Sequence, residues 1–137
     1  WWAALGLRNN IVVSGDIHSS WVSELSPAPG DPSQYNPLTG RGSHGVEFVT
    51  PAATSGAASD LDRFANAVRL LNTHIKYVDL AHHGYVLVDI TKERCRGEYW
   101  YVDPIVDPRF QEFSAGAWES RDAAATGGWN VVRRATA

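Results

Sequence analysis

The chain has no methionine and one cysteine, and its charges are neither numerous nor one-sided. A single cysteine, Cys95, excludes an intrachain disulfide. It sits in an alternating, strand-like stretch, where a small buried hydrophobe is the expected reading. Without disulfides, cysteine usage leaves the redox compartment open. No apolar run approaches the roughly 20 residues that a membrane-spanning helix needs. The N-terminus lacks the basic region and cleavage site of a secretory signal, and a start at Trp1-Trp2 reads as the continuation of a longer or processed polypeptide. Twelve basic and fifteen acidic residues give a net charge of −3, with both signs scattered. That excludes the basic footprint of a nucleic-acid partner, while a phosphate ester remains open as a substrate.

What is present is ordinary for one compact domain: 137 residues, 44% of them hydrophobic, with aromatics at 11% and six tryptophans to fill a core with large rigid side chains. Trp1 to Leu7 reads as the last turns of a helix closed by Gly6. Ile11-Val12-Val13-Ser14 reads as a buried strand ended by Gly15. Pro, Gly, Ser, Asp and Asn fill residues 26 to 45, a long surface loop of the kind that is functional or mobile. Val46 to Thr50 alternates as a strand and Pro51 stops it. Ser59-Asp60-Leu61-Asp62 has the pattern of a helix N-cap with acids in the first turn. Leu61, Phe64, Val68 and Leu71 then share one helical face, predicting a structural amphipathic helix. Ile75 to Leu80, Tyr85 to Thr91 and Cys95 to Val102 predict an antiparallel meander. In its last strand Cys95, Gly97, Tyr99 and Tyr101 share one side. After Asp103-Pro104 regularity fades, and Val131-Val132 predicts one short edge strand.

The chemistry concentrates in Gly15-Asp16-Ile17-His18. Along an extended chain side chains alternate, so Asp16 and His18 are expected on one side, just past the C-terminal end of a buried strand. A carboxylate and an imidazole there can hold one divalent cation, or one each of two neighbouring cations. Gly15 lets the backbone turn and approach a ligand closely. By itself Gly-Asp-x-His fits equally a strand-ending turn whose Asp caps local amides.

The string Asn10-Ile11-Val12-Val13-Ser14-Gly15-Asp16-Ile17-His18-Ser19-Ser20-Trp21 resembles the last metal-binding motif of the alkaline phosphatase D family of metallophosphoesterases. Val46-Glu47-Phe48-Val49-Thr50-Pro51 with Thr54-Ser55, Asn72 to Leu80 with His83-Gly84-Tyr85, and Glu98 to Asp103 are similar to the family's following segments, in order and across nearly the whole chain. The resemblance implies an α/β fold. The chain would be the C-terminal part of a four-layer α/β/β/α metallophosphoesterase sandwich, mostly antiparallel strands plus one or two helices. Residues 1–103 would form the C-terminal half of the catalytic domain, and residues 104–137 a tail packed on it. It also implies hydrolysis of phosphate monoesters and diesters at a binuclear or larger metal centre, iron with calcium, with zinc or manganese as other occupants. Asp16 then goes to calcium and His18 to iron, the catalytic pair this chain contributes. The remaining ligands belong to an N-terminal half that is a separate or missing chain, docked on the strand at Ile11, which otherwise is an open sheet edge. Family members are exported, which implies a secreted or periplasmic, cell-envelope location.

Other candidates carry less. His44, around the long loop, is a candidate substrate or phosphate contact on the side of Asp16 and His18, against a plain loop histidine. Glu47 is expected to be a strand residue satisfied by amides or a cation. His82-His83 reads as a solvated pair in a hairpin turn rather than as metal ligands. Ser19-Ser20 beside a histidine suggests a serine hydrolase, but no nucleophile-elbow pattern accompanies it. The contrasting class is a non-catalytic fragment or binding module whose Asp16 and His18 are vestigial.

Overall fold

The computed structural model describes residues 2, 4–7, 9–57, 59–121 and 128–135. Eight strands form two four-stranded sheets. The first contains β1 (Asn10–Ser14), β2 (Ser20–Glu24), β3 (Gly45–Val49) and β4 (Ile75–Asp79), in the order β1-β3-β2-β4. β1 runs parallel to β3, while β2 is antiparallel to both β3 and β4. The second sheet is an antiparallel run of β5 (His83–Ile90), β6 (Arg94–Asp103), β7 (Gln111–Arg121) and β8 (Asn130–Arg134). A 3₁₀ helix, Ser59–Phe64, leads into one short α-helix, α1 (Ala65–Leu71), which packs on β4. The fold is therefore mostly antiparallel β-sheet with one short helix.

The sheets meet face to face. Val22, Val46 and Phe48 of the first pack on Cys95, Tyr99, Tyr101, Trp118 and Val131 of the second. β6 follows the expected alternation: Cys95, Gly97, Tyr99 and Tyr101 are buried and their neighbours are not. Gly97 faces inward because Phe48 fills its place, and a Cβ there would lie 2.5 Å from that ring. Tyr99 crosses the interface and donates its Oη–H to the carbonyls of Trp21 (2.7 Å) and Val49 (3.1 Å). Glu24, fully buried, accepts from the Tyr35 hydroxyl (2.5 Å) and from the Val131 backbone N–H (2.7 Å), with the Lys76 ammonium 3.4 Å away. Burial pushes its carboxyl above the ordinary range, against the opposing pull of Tyr35, Val131 and Lys76.

Several expectations need correcting. β2, the strand that joins β3 to β4, carries a buried Glu and four buried or half-buried neighbours of mixed polarity, so no apolar pattern marked it. The stretch after Asp103 is expected to lose regularity, yet it holds β7, the longest strand among the described residues; the short edge strand expected at Val131-Val132 is present as β8. The predicted three-strand meander is split: β4 closes the first sheet, and the chain crosses to the second before β5. The Leu61-Phe64-Val68-Leu71 face does not pack inward. Leu61, Phe64 and Leu71 are exposed, no residue of either helix is buried, and Ser59 opens a 3₁₀ turn rather than capping an α-helix. Asp62 accepts the Leu80 N–H at 3.2 Å instead, which ties the 3₁₀ turn to the crossover after β4. At the N-terminus, Gly6 at φ 69° and a 2.9 Å bond from Leu7 N–H to the Trp2 carbonyl have the form of a helix C-terminal closure. Trp1 and Ala3 of that expected helix end lie outside the described residues.

Two measurements follow from this core. Gly97→Ala should cost about 1–3 kcal/mol, the usual penalty of forcing a methyl into a packed interior. Its cost in urea unfolding should shrink in a Phe48→Leu background. Equal costs in both backgrounds would mean that Phe48 is not what excludes the methyl. The phenols of Tyr35, Tyr77, Tyr99 and Tyr101 are all raised by burial, Tyr77 to about 12 from an ordinary 10.0. A folded value above the unfolded one means the fold holds these protons more tightly. Their contribution is complete below about pH 10 and is lost as pH rises through the folded values. Tyrosinate absorbance at 295 nm and loss of β circular dichroism should therefore rise together above pH 10, and tyrosines that ionise near pH 10 with the sheets intact would contradict this.

Candidate metal-ligand site

β1 ends at Ser14, and five residues, 15 to 19, return the chain into β2. Gly15 permits a close pass: a Cβ there would stand 3.3 Å from the Thr50 methyl, while the Thr50 N–H bonds the Ser14 carbonyl at 2.9 Å. The neighbour that Gly15 admits is thus Thr50. Beyond it the chain is not extended. Asp16 (φ 75°) and His18 (φ 57°) both adopt the left-handed region, so strand alternation does not explain their grouping. Asp and His are among the non-glycine types that tolerate this conformation. Two such residues in one five-residue bend are a local strain of the kind found at functional sites. Both side chains are exposed, at the C-terminal end of β1.

His18 is oriented by the loop after β3. Its Nδ1 lies 3.1 Å from the Gly56 carbonyl oxygen. A carbonyl only accepts, so Nδ1 carries the proton and Nε2 is left with its lone pair. This is the usual arrangement of a metal-binding imidazole, with one nitrogen fixed by a backbone carbonyl and the other available. With the Asp16 carboxylate two residues away, the donor set is one hard oxygen and one borderline nitrogen, which fits a divalent or trivalent cation. Among the described residues no group of three His, Cys, Asp or Glu side chains converges on one point. The bend therefore carries two candidate ligands within this chain, Asp16 and His18.

Beside it, Ser14, Gly15, Ile17, Trp21, Ser23, Glu47 and Val49 line a cavity of about 340 Å³. Glu47 accepts from the Ser14 hydroxyl at 2.8 Å, so its partner is a hydroxyl, neither an amide nor a cation. The serine-hydrolase reading finds no support. Ser19 and Ser20 are 2% and 0% exposed, and Ser19 Oγ accepts the Trp21 indole N–H at 2.7 Å, holding the bend together.

His44 is not near the pair. In the parallel β1–β3 register Asn10 faces Gly45 and Ser14 faces Val49, so His44 sits at the opposite end of the sheet from Asp16 and His18. Its carbonyl accepts from the Asn10 N–H and side-chain amide, and its own N–H bonds the Leu25 carbonyl. Its backbone therefore staples the long loop to β1. Proximity along the chain suggested the site, and the parallel pairing removes it.

His82 and His83 are not a solvated hairpin pair either. They stand at the crossover between sheets, half-buried, and each has a partner. His82 Nδ1 is 2.8 Å from Asp79 Oδ2, and its ring stacks on Tyr101 with centroids 4.8 Å apart. His83 Nε2 reaches the Ser55 carbonyl at 2.8 Å. The Gly56 carbonyl that orients His18 had no sequence signal beyond a run of small residues from Ala52 to Gly56.

Comparison with known proteins supplies the family and the fold. A family model described as PhoD-like phosphatase matches residues 2–99. Alkaline phosphatase D of Bacillus subtilis (strain 168) is 30% identical over 104 residues, covering 74% of this chain and 16% of that protein. A solved structure of PhoD superposes with a TM-score of 0.75 at 23% identity, over 98% of this chain and 24% of that one, a likeness of fold. The chain thus spans about a quarter or less of the length of these two matches.

Proposed function

The chain belongs to the PhoD-like phosphatase family, and from that premise we propose that it contributes part of the active site of a metal-dependent phosphoesterase acting on phosphate monoesters and diesters. The observation that carries the reading is the bend after β1. It holds Asp16 and His18 in left-handed conformations at a strand end, with the His18 Nδ1 proton engaged by the Gly56 carbonyl. Asp16 supplies a carboxylate ligand and His18 its Nε2, to a binuclear or larger centre of iron with calcium, or of zinc or manganese.

A cation bound there would supply a water whose pKa falls from about 15.7 toward roughly 7, a hydroxide-like nucleophile at neutral pH. The rest of the work in this chain is positional. The bend sets the backbone of both residues in the left-handed region at the end of β1. The Gly56 carbonyl keeps the His18 proton away from the ligand nitrogen. Ser19 and Trp21 brace the return into β2. In the complete protein the remaining ligands come from residues outside this chain, packed against the β1 edge, and two helical layers enclose the two sheets. Secretion or residence in the cell envelope accompanies this reading.

In the full-length protein His18→Ala and Asp16→Asn should each lower hydrolysis of an activated phosphodiester by at least about 100-fold, the scale of losing a ligand rather than its supporting partner. Metal content by mass spectrometry should fall in parallel, with circular dichroism unchanged. Full activity and full metal content in both folded variants would instead favour a non-catalytic module with vestigial ligands.

A further inference from the structure

The loop that orients His18 has little to hold it. Residues 53 to 56 are exposed, they are small, and no atom lies within 4 Å of where a Gly56 Cβ would be. Packing therefore does not place the Gly56 carbonyl; hydrogen bonds do. One comes from the Gly84 N–H to the Ala52 carbonyl at 3.0 Å. A second comes from His83, whose Nε2 lies 2.8 Å from the Ser55 carbonyl. The third is His18 itself, on the next carbonyl, at 3.1 Å. Two histidines from different sheets thus hold consecutive carbonyls of one short segment. Each contact is to an acceptor, so His83 carries its proton on Nε2 and His18 on Nδ1.

We propose that His83 is a positioning residue for His18, acting through the Ser55–Gly56 segment; this rests on the reading of His18 as a metal ligand. The asymmetry of the two anchors supports the direction of control. His83 opens β5 and is paired with Val102 in the second sheet. His18 stands exposed in a five-residue bend with a left-handed backbone. The better-anchored imidazole fixes the segment, and the segment sets the ring of the freer one. Removing the His83 donor leaves the Ser55 carbonyl exposed to water and lets the segment drift. The Gly56 carbonyl then no longer favours one His18 tautomer, and part of the population carries its proton on Nε2, the nitrogen that should bind the cation. Supporting partners of ligand histidines are typically worth 10–100-fold in metal affinity. His83 acts one step further out, so the lower end, about tenfold, is expected.

The test uses full-length protein with ¹⁵N-labelled histidine, stripped of metal. Long-range ¹H–¹⁵N spectra report the His18 tautomer, and calorimetric titration of Mn²⁺ reports affinity. Wild type should show His18 protonated at Nδ1. In His83→Ala the two tautomers should mix and Mn²⁺ affinity fall about tenfold. His83→Gln, whose side-chain amide can donate to the Ser55 carbonyl from nearly the same position as Nε2, should restore both; His83→Asn, one carbon shorter, should not. If His83→Ala fails to fold, the Gln–Asn pair decides the question alone. An unchanged His18 tautomer and affinity in folded His83→Ala or His83→Asn, with His18→Ala still abolishing Mn²⁺ binding, overturns the inference and leaves the ligand reading intact. An affinity indifferent to His18→Ala removes the ligand reading itself, and the inference with it.

Discussion

Everything in this fold depends on how two sheets that share little backbone are fastened together, and Glu24 is the most demanding of the fasteners. Its carboxylate has no exposure, yet it ends β2, the strand that joins the others in the first sheet. Its partners come from three places: Tyr35 in the long loop, Lys76 on β4, and the Val131 N–H on β8 of the other sheet. Burying a carboxylate is costly unless donors surround it. The chain meets that cost by bringing the loop, the β4 edge and the last strand to one point. Tyr99 does the reciprocal job from the second sheet, giving its proton to the carbonyls of Trp21 and Val49. Between them the apolar contact of Phe48 over Gly97 sets how closely the layers approach.

That fastening is what makes the far end of the sheets usable. The bend between β1 and β2, the loop after β3 and the crossover from β4 into β5 all lie at one end of the first sheet. Their relative placement is inherited from the strands they leave and from a few hydrogen bonds between them. His18 to Gly56, His83 to Ser55 and Gly84 to Ala52 are among those that join the bend, the loop and the start of β5. The Asp16 carboxylate and the His18 imidazole thus stand exposed at that end of the sheet.

How much of this could be read from the residues depends on whether the controlling contact was local. β6 was legible because its inward residues alternate without interruption, and the Gly15-Asp16-Ile17-His18 string was legible because its residue types declare a ligand pair. β2 was not, since Ser20, Ser23 and Glu24 are buried polar groups whose partners lie elsewhere in the chain. β7 escaped for a similar reason: Glu119 and Ser120 are buried in a strand that looks soluble. The helical stripe at Leu61, Phe64 and Leu71 misled in the opposite sense, being apolar and periodic but exposed in this chain. His44 shows the limit of chain proximity, because a parallel register sends it to the wrong end of the sheet. His83 was read as half of a solvated pair, because its one polar contact is to a backbone carbonyl distant in sequence.

The central claim is that the bend after β1 presents two metal ligands with the His18 proton turned away from the cation. Anomalous difference density from a crystal of the full-length protein tests it most directly. The account predicts metal peaks in bonding distance of both side chains, one about 2.0–2.1 Å from His18 Nε2 and one about 2.0–2.6 Å from an Asp16 carboxylate oxygen, the longer end being calcium, with His18 Nδ1 still on the Gly56 carbonyl. A metal centre that leaves both side chains uncoordinated, or that binds His18 through Nδ1, would contradict it.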